Sequence, residues 1–420
     1  MFLVIFLAVY EGATSQPFLK DKLYSKKTLL SERQKQDAAL WKYSVLPVMR
    51  MVPDSTNESQ FQSALWAISQ FMLKNDTTRL IVDNLVKNFD MLQDETKSAL
   101  MEVLVGLYPK DYNRQIKMAL KDEGNEKIAA SIWYYLARGN EPIDTAALEN
   151  FANSATDSSI FYVKQSLLRD IRSKRETDAK PALNDLFANQ KKLGVKVIYS
   201  LQRKNRDYPG IAIMQLADGS FVKNEQGEVK TFVQLARSAS NLPYYLTNGN
   251  TPQGIFRIAG TGISKNQSIG PTPNLQLRMP NEVVADSFFI QAVTGDYLTA
   301  YQNLLPYIWR NTALDETFFT GKCGRTEIIA HGSTINPAYF KTFAFYPNTP
   351  TLGCLCAKET WDPSIGKLVQ SDQLDMVNAF LATPGSNGYL IVVNLDDTRK
   401  AVSNADARVI VKNYESSGLK

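Results

Sequence analysis

From about residue 20 to residue 190, apolar residues recur at three- and four-residue spacing with almost no strand-like alternation, a pattern that predicts helix after helix. Four stretches resemble one another: 61–68, 96–104, 128–136 and 160–168. Their starts recur about every 30 to 35 residues, the period of paired-helix repeats stacked as a solenoid. Small residues where helices approach, followed by a bulky apolar stripe, suit such stacking, and an irregular helical bundle is the alternative. Near Leu193 the period changes. Val195–Tyr199, Gly210–Leu216 and Phe232–Ala236 are short β-prone runs divided by turn chemistry such as Ala217-Asp218-Gly219-Ser220. Further strands are predicted at 254–259, 327–330 and 389–395, with helices only around 297–308 and 371–381. The expected fold class is therefore α+β in two domains: an all-α, repeat-like domain over 16–192 and a mainly β domain over 193–420.

Residues 1–15 change this picture at one end. Met1 to Tyr10 is an apolar run too short to span a bilayer, and Ala13 and Ser15 have the spacing that a signal peptidase accepts. The segment 1–15 is read as a signal peptide, although it lacks a basic start, and a periplasmic or secreted location is expected.

Composition adds mostly exclusions. At 420 residues the chain exceeds one ordinary core. Its net charge of +5 is small and scattered, so no nucleic-acid partner is expected. Three cysteines make no disulfide framework, although Cys323 and Cys356 can be paired on paper with Cys354 left free. One histidine and three cysteines without paired spacing lack a metal-site pattern, and no metal or other cofactor is expected.

That single histidine is the sharpest chemical feature. His331 stands in Ile328-Ile329-Ala330-His331-Gly332, and Thr351-Leu352-Gly353-Cys354 follows. An imidazole and a thiol suffice for acyl transfer: the imidazole takes the thiol proton and holds the thiolate as an ion pair, lowering the cysteine pKa. Ahead of both lies Thr251-Pro252-Gln253-Gly254-Ile255-Phe256, a turn directly before a strand. The aromatic cluster Tyr339, Phe340, Phe343, Phe345 and Tyr346, with Trp309, is expected mostly in the core and in a lid, with some members in a substrate groove.

In order and spacing these three pieces resemble the L,D-transpeptidase catalytic domain, the YkuD-like family of cell-wall enzymes, over roughly residues 195 to 400. Thr251, Pro252, Gly254 and Phe256 match the first motif, His331 and Gly332 the second, and Thr351, Gly353, Cys354 and Leu355 the third. Leu352 replaces the family's second histidine and Cys356 its arginine. The resemblance implies an L,D-transpeptidase-like fold and a cysteine acyltransferase that works on peptidoglycan stem peptides through a thioester.

Cys354 would be its nucleophile and His331 its general base and acid. A backbone carbonyl of Gly332 or Ser333 would orient the imidazole, so that no Asp or Glu is needed. The amides of Gly353 and Cys354 would face the oxyanion. Thr351 is a substrate-binding candidate, and Arg325 or Lys358 would replace the missing arginine. Two other readings stay open: a carboxypeptidase or amidase that passes the acyl group to water, and a catalytically silent wall-binding scaffold whose helical repeats offer a surface to a protein partner.

Overall fold

Several helices start where the chain supplies a polar cap. Asn75 Oδ1 accepts from the Thr78 N–H while Thr78 Oγ1 accepts from Asn75 N–H, a reciprocal box, and the side chains of Asn125 and Asp144 cap the helices that follow them. The structure, a computed structural model, describes residues 16–154, 157–173, 181–385 and 387–418. The expected signal peptide at 1–15 lies outside the described residues. Ahead of the first strand come α1 (Leu30–Ala39), α2 (Glu58–Gln70), α3 (Asp76–Lys87), α4 (Asp94–Leu107), α5 (Asn113–Ala119), α6 (Glu126–Arg138), α7 (Thr145–Asn153), α8 (Ser158–Ser173) and α9 (Leu183–Leu193). The four similar stretches lie on α2, α4, α6 and α8, and these helices pack in succession, each on the next. Their shared core is drawn from the repeated apolar stripe, including Phe61, Leu65, Leu100, Leu104, Ile132 and Leu167.

The second half closes into a barrel of eight strands. Its strands are β1 (Lys196–Gln202), β2 (Gly210–Gln215), β3 (Phe232–Leu235), β4 (Gly254–Gly262), β5 (Asn274–Arg278), β6 (Ala330–His331), β7 (Leu355–Ala357) and, after the separate hairpin β8 (Glu359–Trp361) and β9 (Leu368–Ser371), β10 (Gly388–Asn394). Around the barrel the order is β1, β10, β4, β5, β6, β7, β3, β2, with β1–β10 and β6–β7 parallel and every other pair antiparallel. Every strand sends a side chain into one core that includes Ile198, Phe232, Phe256, Leu275, Ala330, Leu355 and Leu390. Alternate residues such as Tyr199, Ile213, Ile255 and Ile391 are buried outside, under flanking helices, which is why these strands read as continuous apolar runs.

The expected fold class, an all-α domain followed by a mainly β, L,D-transpeptidase-like domain, is corrected by the first of two findings. First, the second half is a closed mixed barrel carrying α10 (Ala285–Phe288), α11 (Tyr297–Gln302), α12 (Glu316–Lys322), α13 (Asp372–Leu381) and α14 (Asn404–Ser416). Helix α13 puts Met376, Val377 and Phe380 into the barrel core. Second, the core of the helical array does not end with the array. It runs on through Leu235, Leu242, Tyr245, Leu246, Cys323, Phe340 and Phe345 of the second half. Conversely, α9 packs Leu186 and Phe187 on the barrel beside Tyr199 and Tyr414. The physical reason is that periodicity reports which face of an element is buried and not which partner buries it.

Candidate active site

The three motif segments meet on one side of the barrel. In the parallel β6–β7 pair, Ala330 lies opposite Leu355 and His331 opposite Cys356. Ala330 and Leu355 point into the barrel, so His331 and Cys356 take the outer face, and Cys354 lies in the bend just before β7. The first motif joins them through its hydroxyl: Thr251 Oγ1 donates to the Gly353 carbonyl at 2.8 Å. At the start of β4 a Cβ on Gly254, with φ +122°, would collide with Thr317 Oγ1 and the Leu314 carbonyl, so the tight turn there requires glycine.

His331 is held by the backbone that follows it. Its ring is buried and Nδ1 lies 2.5 Å from the Gly332 carbonyl. A carbonyl only accepts, so Nδ1 carries the hydrogen and Nε2 keeps its lone pair. Burial lowers the His331 pKa from the usual 6.5, the Gly332 contact opposing it. The Gly332–Ser333 backbone is itself held by a carboxyl that sequence reasoning did not single out. Glu359 accepts from the Ser333 N–H at 2.9 Å and from Ser371 Oγ at 2.6 Å, while Trp361 Nε1 donates to the Ser333 carbonyl at 3.0 Å. A Cβ at Gly332 would strike this carboxylate, which gives Gly332 a steric role. No residue spacing announces Glu359, because the hairpin β8–β9 alone brings it beneath Gly332.

Cys354 is half-buried and its thiol is bound on the upstream side of β6. Sγ accepts from the Ile329 N–H at 3.4 Å and donates to the Glu327 carbonyl at 3.6 Å. Glu327 sits in the left-handed region at φ 62°, its N–H held by Glu282 Oε1 at 2.9 Å. Burial pushes the Cys354 thiol up to about 11, against the Ile329 amide and the Arg325 charge that pull it down. Burial works against the expected thiolate–imidazolium ion pair. Burial disfavours the charged form of each partner, and no hydrogen bond joins the two among the described residues.

The other proposed site residues divide. Thr351 Oγ1 donates to the Cys354 carbonyl at 2.8 Å and accepts from the Gly353 N–H at 3.0 Å, so it clamps the turn and is not turned to a substrate. The same bond occupies the Gly353 amide. The Cys354 N–H makes no hydrogen bond among the described residues. Gly353 still needs to be glycine: its φ is +122°, and a Cβ would strike the Arg325 guanidinium and the Gly249 carbonyl. Arg325 is buried, donating to the Gly249 carbonyl at 2.9 Å and to those of Tyr244 and Asn250. Its charge faces Cys354 but its hydrogens are spent on the loop that carries the first motif.

Lys358 lines a cavity of about 180 Å³ beside Ser333, together with Thr349, Glu359 and, from α1, Arg33. The three cysteines are free, and Cys356 lies 3.4 Å from Thr349 Oγ1, which removes the paper pairing with Cys323. Of the aromatic cluster, Phe340 and Phe345 are fully buried in the core shared with the helices, Trp309 is buried against the barrel, and Tyr346 reaches the cavity. No helix among the described residues is long and apolar enough to cross a membrane. The chain matches no protein-family model, no curated protein and no solved structure.

Proposed function

We propose that this chain is a cysteine acyltransferase of the L,D-transpeptidase type, acting on peptidoglycan stem peptides outside the cytoplasmic membrane. The observation that carries this reading is the junction of its three motif segments, with Thr251 bonded to Gly353 and with His331 on β6 paired beside β7, the strand that Cys354 leads into. On binding, the substrate carbonyl reaches Sγ and displaces the thiol proton from Glu327 toward His331 Nε2. Sγ then attacks the carbonyl carbon of the stem amide, and the Cys354 N–H receives the oxyanion. His331 returns the proton to the amide nitrogen, the C–N bond breaks, and a thioester remains while a D-amino acid leaves. An acceptor amine attacks the thioester, gives its proton to His331, and thiolate departure followed by reprotonation restores the resting pair.

The test is incubation of the intact chain with tetrapeptide stems, followed by mass spectrometry of both protein and peptides. The expected results are an acyl adduct on Cys354, cross-linked dimers, and loss of both in Cys354→Ala. Turnover undiminished in that variant would sink the reading. Trimmed tripeptides without dimers would transfer the second half-reaction to water. One observation favours the silent scaffold instead: the resting thiol is bonded to Glu327 and not to His331. Absence of any adduct in the unaltered chain would decide for it.

A further inference from the structure

A single peptide unit stands between His331 and Glu359. The Gly332 carbonyl, which accepts from His331 Nδ1 at 2.5 Å, and the Ser333 N–H, which donates to Glu359 Oε2 at 2.9 Å, belong to one planar trans amide, so they point in opposite directions and turn together. Fixing the N–H therefore fixes the carbonyl. A Cβ at Gly332 would run into the Glu359 carboxyl, and the next peptide is gripped as well, by Trp361 Nε1 on the Ser333 carbonyl at 3.0 Å.

The carboxyl is held from behind. Glu359 and Ser371 face each other across the hairpin β8–β9. Ser371 Oγ donates to Glu359 Oε1 at 2.6 Å and accepts from the Leu374 N–H at 2.9 Å, which ties the carboxyl to the start of α13. Residues 18–30 cover the β9 side of the hairpin. The Ser25 N–H donates to the Gly366 carbonyl at 2.9 Å and the Leu30 N–H to the Pro363 carbonyl at 2.8 Å, while Asn378 of α13 accepts from the Phe18 N–H at 2.9 Å and donates to the Phe18 carbonyl at 3.0 Å. Phe18 and Leu23 pack on Trp361, Leu368 and Leu374. Glu359 is thus an acceptor fixed by two neighbouring elements.

The group that the peptide presents to Nδ1 decides which ring nitrogen carries the hydrogen. With the carbonyl presented, Nδ1 is the N–H and Nε2 keeps a lone pair. With the peptide turned over, the Ser333 N–H would face Nδ1 and the imidazole hydrogen would sit on Nε2. That turn would also aim the Gly332 carbonyl oxygen at the Glu359 carboxylate, two acceptors with no hydrogen between them.

We propose that Glu359 is a positioning residue that sets the tautomer of His331 through the Gly332–Ser333 peptide, holding Nε2 ready to take a proton. This deepens the acyl-transfer reading and rests on it for what Nε2 does. His331 is the only histidine, so ¹⁵N-histidine labelling of the full chain gives the spectrum of one imidazole, whose two-bond ¹H–¹⁵N couplings at about pH 8 report the tautomer. The unaltered chain is expected to show hydrogen on Nδ1. Glu359→Met, which fills the space without an acceptor, should move it to Nε2 and slow stem acylation of Cys354 about a hundredfold. Glu359→Gln, which keeps an acceptor, should retain the Nδ1–H form as the major one. An Nε2–H form in the unaltered chain, an Nδ1–H form kept in a folded Glu359→Met chain, or the same spectrum in the Met and Gln chains overturns the proposal. If the tautomer follows residue 359 while the unaltered chain forms no stem adduct on Cys354, the acyl-transfer reading fails and the positioning stands; stem adducts with a tautomer indifferent to residue 359 separate them the other way.

Discussion

At the scale of single residues, the lone histidine and its cysteine were legible from neighbouring letters, while their electrostatic state was not. Glycine at 353 and 254 is required by positive φ and by near contacts, and the sequence signature Thr-x-Gly-Cys marks the first of these positions. The direction in which burial shifts each partner depends on what covers it, which no local motif encodes. The consequence is a distinct pH profile. A neutral pair needs only an unprotonated His331, whose pKa burial holds below 6.5, whereas an ion pair also loses rate when its imidazolium deprotonates. Stem acylation by the full chain should therefore fall only below pH 6.5, as His331 protonates, and stay level from pH 7 to about 9. A rate that declines between pH 7 and 9 would point back to the ion pair.

At the scale of elements, helix spacing and strand runs were readable because each reports its own buried face. The service that one element performs for another was not. Helix α4 approaches the loop before the first motif so closely that a Cβ at Gly106 would press on the Ala239 carbonyl at 2.9 Å. Glu102 of α4 accepts from Asn248 Nδ2 at 2.8 Å, and Asn248 holds a left-handed backbone at φ 56°. From α8, Asp170 accepts from Tyr245 OH at 3.2 Å. The same loop supplies the carbonyls that hold Arg325 against Gly353. These contacts give the helical array an internal task, which is to fix the loop behind Cys354. Removing the Glu102 acceptor leaves a strained Asn248 without its anchor, at a cost of about 1–3 kcal/mol. Glu102→Ala should accelerate amide exchange across residues 241–250 and slow acylation of Cys354, with exchange in α2 unchanged. Unaltered exchange in the loop would show that α4 merely lies against it.

At the scale of the whole molecule, one core crosses the expected boundary between the halves, which no local pattern reports. A fragment that begins at residue 193 would expose Leu235, Leu242, Tyr245, Leu246, Phe340 and Phe345, each worth roughly 1.5–3 kcal/mol when buried. That exceeds a usual domain stability of about 5–15 kcal/mol, or nearly so, and the fragment should lack a cooperative melting transition that the intact chain shows. A sharp calorimetric transition in the fragment would contradict the shared core. The same unity decides how stability follows pH, because buried carboxyls brace the first two motif segments and the loop before them. Glu102 holds Asn248, Glu316 accepts from the Gln253 N–H at 2.8 Å, and Glu359 accepts from the Ser333 N–H. Burial raises all three to about 7, above the ordinary 4.5. A folded-state pKa above the unfolded one means that the native chain holds more protons, so the stabilisation is complete below pH 4.5 and is lost as pH rises through about 7. His331 acts in the opposite sense: its lowered pKa favours the native chain above 6.5 and that gain is lost as pH falls. The melting temperature should accordingly drop between pH 6.5 and 8.5, where the carboxyls ionise and His331 is already neutral. Replacing Glu102, Glu316 or Glu359 by Gln, which keeps the acceptor without the charge, should flatten that drop stepwise. A slope that persists in the triple variant would place the pH dependence in other groups.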